Sequence, residues 1–226
     1  MKVSIIIPVY NEEKTIKKVI NKVKKLKLPV KKEIIVVDDG SSDKSFNIIN
    51  DINGIKKLRH HKNMGKGAAV KTGISNSTGD IIIIQDADLE LNPDEIINLL
   101  IPIMKNKTDV VYGSRLLGKK NVEHSFFYYF GGRLVTFFTN LLYGTKLTDE
   151  PCGYKMFKTK ILKRIKINEN GFGFEPEITA KIAKKRIKIY EAPVSYKPRN
   201  KKEGKKLNWK DGIKAVWILF KYRFSN

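Results

Sequence analysis

The sequence predicts an α/β fold in which a mostly parallel sheet is covered by helices on both faces. In the first half of the 226 residues, short apolar runs alternate with segments of helical periodicity, and only short links separate them. The run at 81–84 is four consecutive isoleucines, which is typical of a central strand buried on both faces. Such an alternation gives parallel strands joined by crossover helices.

Strands and helices alternate without interruption as far as residue 112. Apolar side chains at helical spacing mark the first helix, and Pro93 stands in the first turn of the last one, where proline is tolerated. Serine and aspartate side chains before residue 45 can cap the second helix. The strands are predicted at 2–9, 33–37, 55–59, 80–85 and 109–112, and the helices at 12–26, 43–51, 65–77 and 93–105.

The second half is less regular, but it contains no internal repeat and no low-complexity linker. We therefore expect one domain with a variable second half. Its predicted elements are a pair of apolar helices around 126–143, a loop at 148–153, a strand at 154–157, a helix at 175–185, a strand at 187–194, a basic run at 197–206 and a last helix at 209–223.

The chain is strongly basic, with 45 Lys+Arg against 23 Asp+Glu and a formal net charge of +22. Such a charge indicates an anionic partner, which could be nucleic acid, an anionic membrane or a phosphorylated small molecule. Only seven of the basic residues are arginine. Because nucleic-acid and phosphate sites favour the bidentate fork of arginine, much of the lysine is better explained as a compositional bias.

The cysteine count and the absence of targeting patterns exclude disulfide-rich, zinc-binding, secreted and membrane-spanning classes of protein. The single cysteine, Cys152, excludes an internal disulfide, and with three scattered histidines it excludes a Cys/His zinc cluster. The N-terminal apolar run meets Pro8 and then polar residues, unlike a signal peptide. No segment reaches the roughly 18 uninterrupted apolar residues of a membrane-spanning helix. We expect a protein that is not secreted and that is soluble or lies on a membrane surface.

Acidic residues follow three of the predicted strands. Glu12 comes after the first strand, Asp39 after the second, and Asp86, Asp88 and Glu90 after the four isoleucines. The carboxyl ends of parallel strands meet at one edge, so these side chains should converge on one crevice. Alternating carboxylates place oxygen ligands on one side of an extended segment, which suits Mg²⁺ or Mn²⁺. When this motif is considered by itself, a simpler interpretation stays open, in which the aspartates form a turn and cap a helix.

Two glycine-rich phosphate loops are disfavoured. The dinucleotide fingerprint would have to follow the first strand, where no glycine occurs, and Gly65-Lys66-Gly67 has Val70 at the third glycine position. The segment 113–120 is close to a P-loop, but its last residue is lysine instead of the hydroxyl residue that would hold Mg²⁺.

Eight short segments, taken in order, resemble family 2 glycosyltransferases with the GT-A fold. The earlier ones are 8–12, 36–41, 63–69, 85–90 and 113–115. The later ones resemble the dolichyl-phosphate or polyprenyl-phosphate hexosyltransferase branch, and they are 147–149, 174–178 and 204–207 with 209–212. The resemblance covers nearly the whole chain and implies a nucleotide-sugar-binding half at 1–115, an acceptor-binding half at 116–200, and a basic segment with an amphipathic helix at 201–226.

The resemblance also implies roles for individual residues. The residues implied to bind the nucleotide sugar are Pro8, Tyr10, Glu12, Asp39, Lys66, Asp86, Ala87 and Asp88. Those implied to hold Mg²⁺ or Mn²⁺ are Asp86, Asp88 and Glu90, and the metal would neutralise the departing diphosphate. Asp88, Arg115 and Asp149 are the implied catalytic residues, with Asp149 as a base or an orienting group.

The implied acceptor is a lipid phosphate, which changes what the site must supply. A phosphate monoester has a second pKa near 6, so it is mostly ionised at neutral pH and a strong base is optional. Positive charge is needed instead, to hold two anionic reactants together. The candidates are Arg115, Arg133, Arg199, Lys205 and Lys206.

The last helix carries apolar and aromatic residues at helical spacing with lysines and an arginine among them. This pattern is typical of a helix on a membrane surface, and equally of a helix that closes the domain. Glu175 and Glu177 are interpreted as charges at a helix start, with a second acidic site as the alternative. His60, His61 and His124 receive no role.

The sequence thus predicts an inverting, metal-dependent transferase that moves a hexose from GDP-mannose or UDP-glucose to dolichyl or polyprenyl phosphate. It would lie peripherally on the cytoplasmic face of a membrane. The alternative is a family 2 enzyme acting on a sugar hydroxyl of a growing polysaccharide, which would need a true base. A nucleic-acid-binding module is a distant alternative that rests on charge alone and conflicts with the acidic crevice.

Overall fold

The structure of the chain is a computed structural model that describes residues 1–118, 126–199, 204, 206 and 209–225, with the backbone alone at 126–129. Its strands are β1 (Lys2–Val9), β2 (Lys31–Asp38), β3 (Lys56–Arg59), β4 (Ile81–Ile84), β5 (Val110–Ser114), β6 (Lys155–Lys158) and β7 (Ile189–Pro193). Its helices are α1 (Ile16–Lys25), α2 (Ser45–Asn50), α3 (Lys66–Ser75), α4 (Ile96–Met104), α5 (Phe126–Tyr143), α6 (Thr159–Leu162), α7 (Phe174–Lys184) and α8 (Trp209–Phe224), with a 3₁₀ turn at Pro93–Glu95.

The seven strands form one sheet in the order β3-β2-β1-β4-β6-β5-β7. Only β6 runs against its neighbours, pairing antiparallel with β4 and with β5. The prediction of a mostly parallel sheet is therefore confirmed. Because Ile84 at the end of β4 pairs with Lys155 at the start of β6, the loop before β6 lies at the same edge as the carboxyl ends of the parallel strands.

Helices cover both faces of the sheet, as predicted. Alternate residues of the central strands point to opposite sides. Ile5 and Ile83 pack with α1 and α4 on one face, whereas Ile6 and Ile82 pack with α3 and α7 on the other. The isoleucines of β4 are fully or almost fully buried, which explains why this strand is an uninterrupted apolar run.

The predicted pair of helices around 126–143 is wrong, because the segment is a single helix of 18 residues. The helix continues through Gly131 and Gly132, because its packing against α7 and α8 outweighs the low helix propensity of glycine. The first helix begins at Ile16 and not at residue 12, because residues 12–15 form a turn closed by bonds to the carbonyl of Glu12.

The last helix, α8, packs against α5 and α7. Ile218, Leu219 and Tyr222 form a buried cluster with Val135 and Ala180. α8 therefore closes the domain, which was one of the two readings of its sequence. The same helix leaves Trp209, Ile213, Trp217 and Phe224 exposed. No helix in the described ranges is long and apolar enough to cross a membrane.

Candidate active site

A cavity of about 380 Å³ opens at the carboxyl edge of β1, β2 and β4, and we call it the acidic cavity. All but two of the described site residues predicted from the sequence line it. They are Pro8, Tyr10, Glu12, Asp39, Lys66, Asp86, Ala87, Asp88, Glu90, Arg115, Arg199 and Lys206. The convergence expected for carboxylates at neighbouring strand ends is thus found. Lys205 lies outside the described residues.

The turn after β4 brings its carboxylates together. Leu89 adopts a left-handed backbone with φ of 62°, a conformation that costs a non-glycine residue about 1 kcal/mol or more. The turn is held by the backbone N–H of Glu90, which donates to Asp88 Oδ1 at 3.0 Å. Gly153 backs this turn, because a side chain there would overlap Asp86 Oδ2. Gly153 was not among the predicted site residues.

Lys66, at the start of α3, joins two carboxylates inside the acidic cavity. Its Nζ lies 2.6 Å from Asp86 Oδ1 and 2.8 Å from Glu175 Oε1. Burial alone would lower the pKa of the ammonium, but the two carboxylates outweigh it and raise the pKa above its ordinary value. Lys66 is therefore a fixed positive charge, and Glu175 belongs to the site.

Arg199 and Lys206, from the basic run before α8, neutralise much of the remaining negative charge. Arg199 donates to both oxygens of Glu12 at 2.8 and 3.1 Å and to Asp88 Oδ2 at 3.1 Å. Its backbone N–H also donates to Glu90 Oε1 at 2.8 Å. Lys206 reaches Glu12 Oε1 at 2.7 Å. Arg199 and Lys206 thus lie over the acidic cavity.

Asp88 shows how strongly negative charge is concentrated here. Burial, with repulsion from Asp86 and Glu90, raises the pKa of Asp88 to about 7, although Arg199 acts in the other direction. Among the described residues, no three side chains of the metal-binding types are already placed to hold one ion. Asp88 and Glu90 face Arg199 instead, while Asp86 faces Lys66. These hard oxygen donors, with excess negative charge, nevertheless suit Mg²⁺ or Mn²⁺.

Asp39 is fixed by a partner that the sequence did not indicate. Its Oδ1 accepts from the backbone N–H of Met64 at 2.9 Å, its Oδ2 accepts from that of Gly65 at 2.7 Å, and His60 Nδ1 lies 2.7 Å from Oδ1. His60 Nε2 lies 2.9 Å from the hydroxyl of Thr72 on α3. His60 therefore orients Asp39, although the sequence analysis gave this histidine no role.

A second cavity of about 510 Å³ lies beside the first, between α5, α8 and the loop before β6, and we call it the apolar cavity. Arg133 and Asp149, the two predicted site residues absent from the acidic cavity, line it. Its walls also include Leu134, Val135, Pro176, Trp209, Ile213, Val216 and Trp217. The two cavities share a wall formed by Arg115, Pro151, Phe172, Glu175 and Tyr196.

Arg115 and Asp149 form a bidentate ion pair at this wall. Arg115 Nε donates to Asp149 Oδ2 at 2.7 Å, and Nη2 donates to Oδ1 at 2.6 Å. Burial would raise the pKa of Asp149, but the bonds from Arg115 outweigh it and lower the pKa below its ordinary value. Asp149 is therefore a weak base that orients the guanidinium.

Two charged residues, the buried Lys155 and the half-buried Glu191, hold the loop that carries Asp149. Lys155 donates to the carbonyl oxygens of Glu150 and Cys152 at 2.6 and 2.8 Å. Glu191 accepts from the backbone N–H groups of Thr148 and Asp149 at 2.8 and 3.0 Å. Both residues lie in predicted strands, and neither lies in one of the eight segments that resemble the family.

This architecture is known from solved structures. The chain superposes on glucosyl-3-phosphoglycerate synthase from Mycobacterium tuberculosis with a TM-score of 0.77 and 18% identity, over 98% of this chain and 79% of that one. Another structure of the same enzyme, in complex with Mn²⁺, uridine diphosphate and phosphoglyceric acid, gives 0.77 and 18% over 99% and 78% of the two chains. The fold is therefore the GT-A glycosyltransferase fold.

The sequence comparisons narrow the class to a family. The model of glycosyl transferase family 2 matches residues 4–166, and the chain belongs to this family. It is 30% identical to dolichol-phosphate mannosyltransferase from Pyrococcus furiosus over 91% of its own length. It is also 30% identical to UDP-N-acetylglucosamine–dolichyl-phosphate N-acetylglucosaminyltransferase from Methanococcus voltae, over 84% of this chain and 83% of that protein. The chain spans 59% of the length of the Pyrococcus protein.

Proposed function

We propose that the protein transfers a hexose from a nucleoside diphosphate sugar to the phosphate of a dolichyl or other polyprenyl phosphate. One observation carries the proposal: a charged cavity and an apolar cavity share a wall that contains Arg115. The first suits a sugar nucleotide and the second suits a prenyl chain. The two sequence relatives named above, from Pyrococcus furiosus and Methanococcus voltae, are by their names enzymes that act with dolichyl phosphate.

The donor would occupy the acidic cavity. Asp88 and Glu90, with Asp86 beside them, would hold Mg²⁺ or Mn²⁺ there. When bound, the metal neutralises charge on the departing diphosphate. The Arg199 guanidinium would have to leave these carboxylates, since it now contacts Asp88 and its Nε lies 3.9 Å from Glu90 Oε1. Asp39, held by His60, would bind the nucleoside.

The acceptor would place its chain in the apolar cavity and its phosphate beside Arg115 and Arg133. A phosphate oxygen would attack C1 of the hexose from the face opposite the diphosphate. The C1–O bond to the diphosphate breaks, the electron pair leaves with the nucleoside diphosphate, and the configuration at C1 is inverted. No proton has to be removed from an ionised phosphate.

Asp149 supports a phosphate acceptor over a sugar hydroxyl. A hydroxyl would need a general base, and efficient bases have a pKa near the working pH. The pKa of Asp149 is lowered, and both of its carboxylate oxygens are bonded to Arg115. The polysaccharide alternative is therefore the weaker of the two hypotheses.

A panel of donors tests the proposal. Purified protein would be incubated with Mn²⁺, polyprenyl phosphate in detergent, and labelled GDP-mannose, UDP-glucose or UDP-N-acetylglucosamine. One donor should give a labelled lipid that Asp88→Asn abolishes, whereas Asp51→Asn, at an exposed aspartate, should leave it unchanged. If no donor gives a lipid-linked sugar under any of these conditions, the proposal is wrong.

A further inference from the structure

The place where the two cavities meet defines where the transferred sugar must lie. In the proposed reaction, C1 of the hexose is bonded to the diphosphate before transfer and to the acceptor phosphate after it. The hexose therefore has to sit at the wall shared by both cavities. The described residues of that wall are Arg115, Pro151, Phe172, Glu175 and Tyr196.

Among the described residues of the shared wall, Glu175 is the one with a carboxylate side chain. A carboxylate accepts hydrogen bonds and donates none when ionised, so it is a strong partner for the hydroxyl groups of a sugar. Glu175 lies in the first turn of α7, where the helix dipole favours a negative charge. Its side chain is 12% exposed, so the bonds it makes are partly protected from water.

A line of charges fixes Glu175 relative to the donor site. Lys66 Nζ contacts Glu175 Oε1 at 2.8 Å and Asp86 Oδ1 at 2.6 Å. The same ammonium lies 5.7 Å from the centre of the Phe174 ring. Asp86, Lys66 and Glu175 therefore lead from the turn after β4 to the junction of the cavities, which is the direction from the diphosphate to the hexose.

The neighbouring Glu177 shows what a purely structural carboxylate on this helix looks like. It is fully buried, accepts from the backbone N–H groups of Asn168 and Glu169 at 2.7 and 2.8 Å, and pairs with Lys181 at 2.6 Å. It lines neither cavity. Glu175 instead lines both cavities, and the ionic partner that the structure gives it is a residue of the site.

We infer that Glu175 binds hydroxyl groups of the transferred hexose and that Lys66 positions its carboxylate for this contact. The inference rests on the proposed function and adds to it the residue that recognises the sugar. Glu175 then distinguishes a nucleotide sugar from the bare nucleotide, because the two ligands differ by the group that it contacts.

Paired binding measurements test the inference. Dissociation constants would be measured by calorimetry in Mn²⁺ for GDP against GDP-mannose and for UDP against UDP-glucose and UDP-N-acetylglucosamine. In Glu175→Gln, the nucleotide sugar that binds the wild type should bind about tenfold more weakly, the loss expected for a hydrogen bond to a charged group. The matching nucleoside diphosphate should bind within about twofold of the wild type. Glu177→Gln, checked for folding by its melting temperature, is the matched control on the same helix.

Each outcome has one meaning. If the sugar nucleotide and the nucleotide lose affinity by the same factor in Glu175→Gln, the residue acts on the fold or the diphosphate, and the inference is wrong. It is equally wrong if neither affinity changes. If the wild type binds none of the three nucleotide sugars, the proposed function itself fails and the inference fails with it. Glu175→Ala, which removes the carboxyl group entirely, provides a second variant with the same expected pattern.

Discussion

The ion pair of Arg115 and Asp149 is the main evidence for a phosphate acceptor over a hydroxyl acceptor. Three donors of Arg115, including its backbone N–H at 2.8 Å, converge on the carboxylate of Asp149. The guanidinium also lies 5.0 Å from the centre of the Tyr196 ring. Asp149 therefore holds a cation at the shared wall, and its loss should disturb acceptor binding more than proton transfer.

Asp149→Asn should raise KM for polyprenyl phosphate by about tenfold and change kcat by less, because the variant loosens Arg115 and removes no base. The pH profile of kcat should keep its shape. Steady-state kinetics over pH 6 to 9 check this. A loss of kcat of about a thousandfold would instead show that Asp149 is a general base, since that is the usual size of such a contribution.

The limits of sequence reasoning are clearest at single residues. Glu12, Asp86 and Asp88 were predicted to converge because each follows a strand, and strand ends meet by geometry. Glu175 was interpreted as a helix-start charge, because its partner Lys66 is 109 positions away. His60 was missed for the same reason, since nothing near it in the sequence pairs with an imidazole. Contacts that join distant segments leave no local pattern.

At the scale of elements, two basic residues between β7 and α8, Arg199 and Lys206, neutralise carboxylates of the acidic cavity. Arg199 and Lys206 bind carboxylates that the proposed donor and metal would need. Arg199 and Lys206 would therefore compete with the donor and the metal for the same carboxylates.

Arg199→Gln should bind Mn²⁺ more tightly than the wild type in the absence of nucleotide. An increase of about fivefold corresponds to one partly buried ion pair of about 1 kcal/mol. Electron paramagnetic resonance of free Mn²⁺ measures the affinity directly. Lys197→Gln removes a positive charge from the same segment at an exposed position and should change the affinity little. If both variants bind Mn²⁺ with the same affinity, Arg199 does not compete with the metal for these carboxylates.

Glu33 on β2 links β2 to β1 and to the segment before β4, at the edge of the sheet opposite the acidic cavity. Its carboxylate contacts Lys2 and Ser4 of β1 and Thr78 before β4. Burial would raise the pKa of Glu33, but the bonds from Lys2, Ser4 and Thr78 outweigh it and lower the pKa to about 2. Because the folded state binds the proton less well than the unfolded chain, this stabilisation is complete above about pH 4.5 and is lost as the pH falls toward 2.

Glu33→Gln should therefore lower the free energy of unfolding by about 1–2 kcal/mol at pH 7, the size expected for hydrogen bonds to a charged group. The difference from the wild type should shrink between pH 4.5 and pH 2. Urea unfolding at pH 7, 4 and 3 checks both statements. A difference that stays constant over this range would show that the charge of Glu33 does not matter.

A strand or helix was predicted correctly where the pattern of apolar and polar residues in its own sequence matches its burial in the fold. The apolar run of β4 and the amphipathic pattern of α1 do so. The antiparallel direction of β6 was not predicted, because a strand's sequence does not record the direction of its partners. The pair of helices predicted around 126–143 was wrong, because packing of α5 against α7 and α8 holds the segment as one helix.

For the whole molecule, an apolar surface on α5 and α8 accompanies the apolar cavity. Leu134, Phe137 and Leu141 of α5 are exposed, as are Trp217 and Phe224 of α8. Lys210, Lys214, Lys221 and Arg223 lie on the same helix. Aromatic side chains with neighbouring cations are typical of helices that lie in a membrane interface, which would bring a lipid acceptor to the cavity.

Trp217→Ser combined with Phe224→Ser should lower binding to vesicles of mixed neutral and anionic lipid by about tenfold or more, since each buried aromatic side chain contributes about 1.5–3 kcal/mol. Sedimentation with sucrose-loaded vesicles measures this. Ile101→Ser is the control, because Ile101 is exposed on α4, which covers the other face of the sheet. Loss of binding in the control alone, or unchanged binding in the double variant, would contradict a membrane-facing role for α8.

The central claim is that a phosphate, and not a hydroxyl, accepts the sugar. The most direct measurement offers the protein, in Mn²⁺ and with the donor that it binds, polyprenyl phosphate and the polyprenol of the same chain length in separate reactions. The predicted result is a lipid phosphate sugar from the first and no product from the second, because Arg115 supplies a cation at the shared wall and Asp149, bonded to Arg115, is too weak a base to activate an alcohol. Transfer to the alcohol at a comparable rate would contradict the claim.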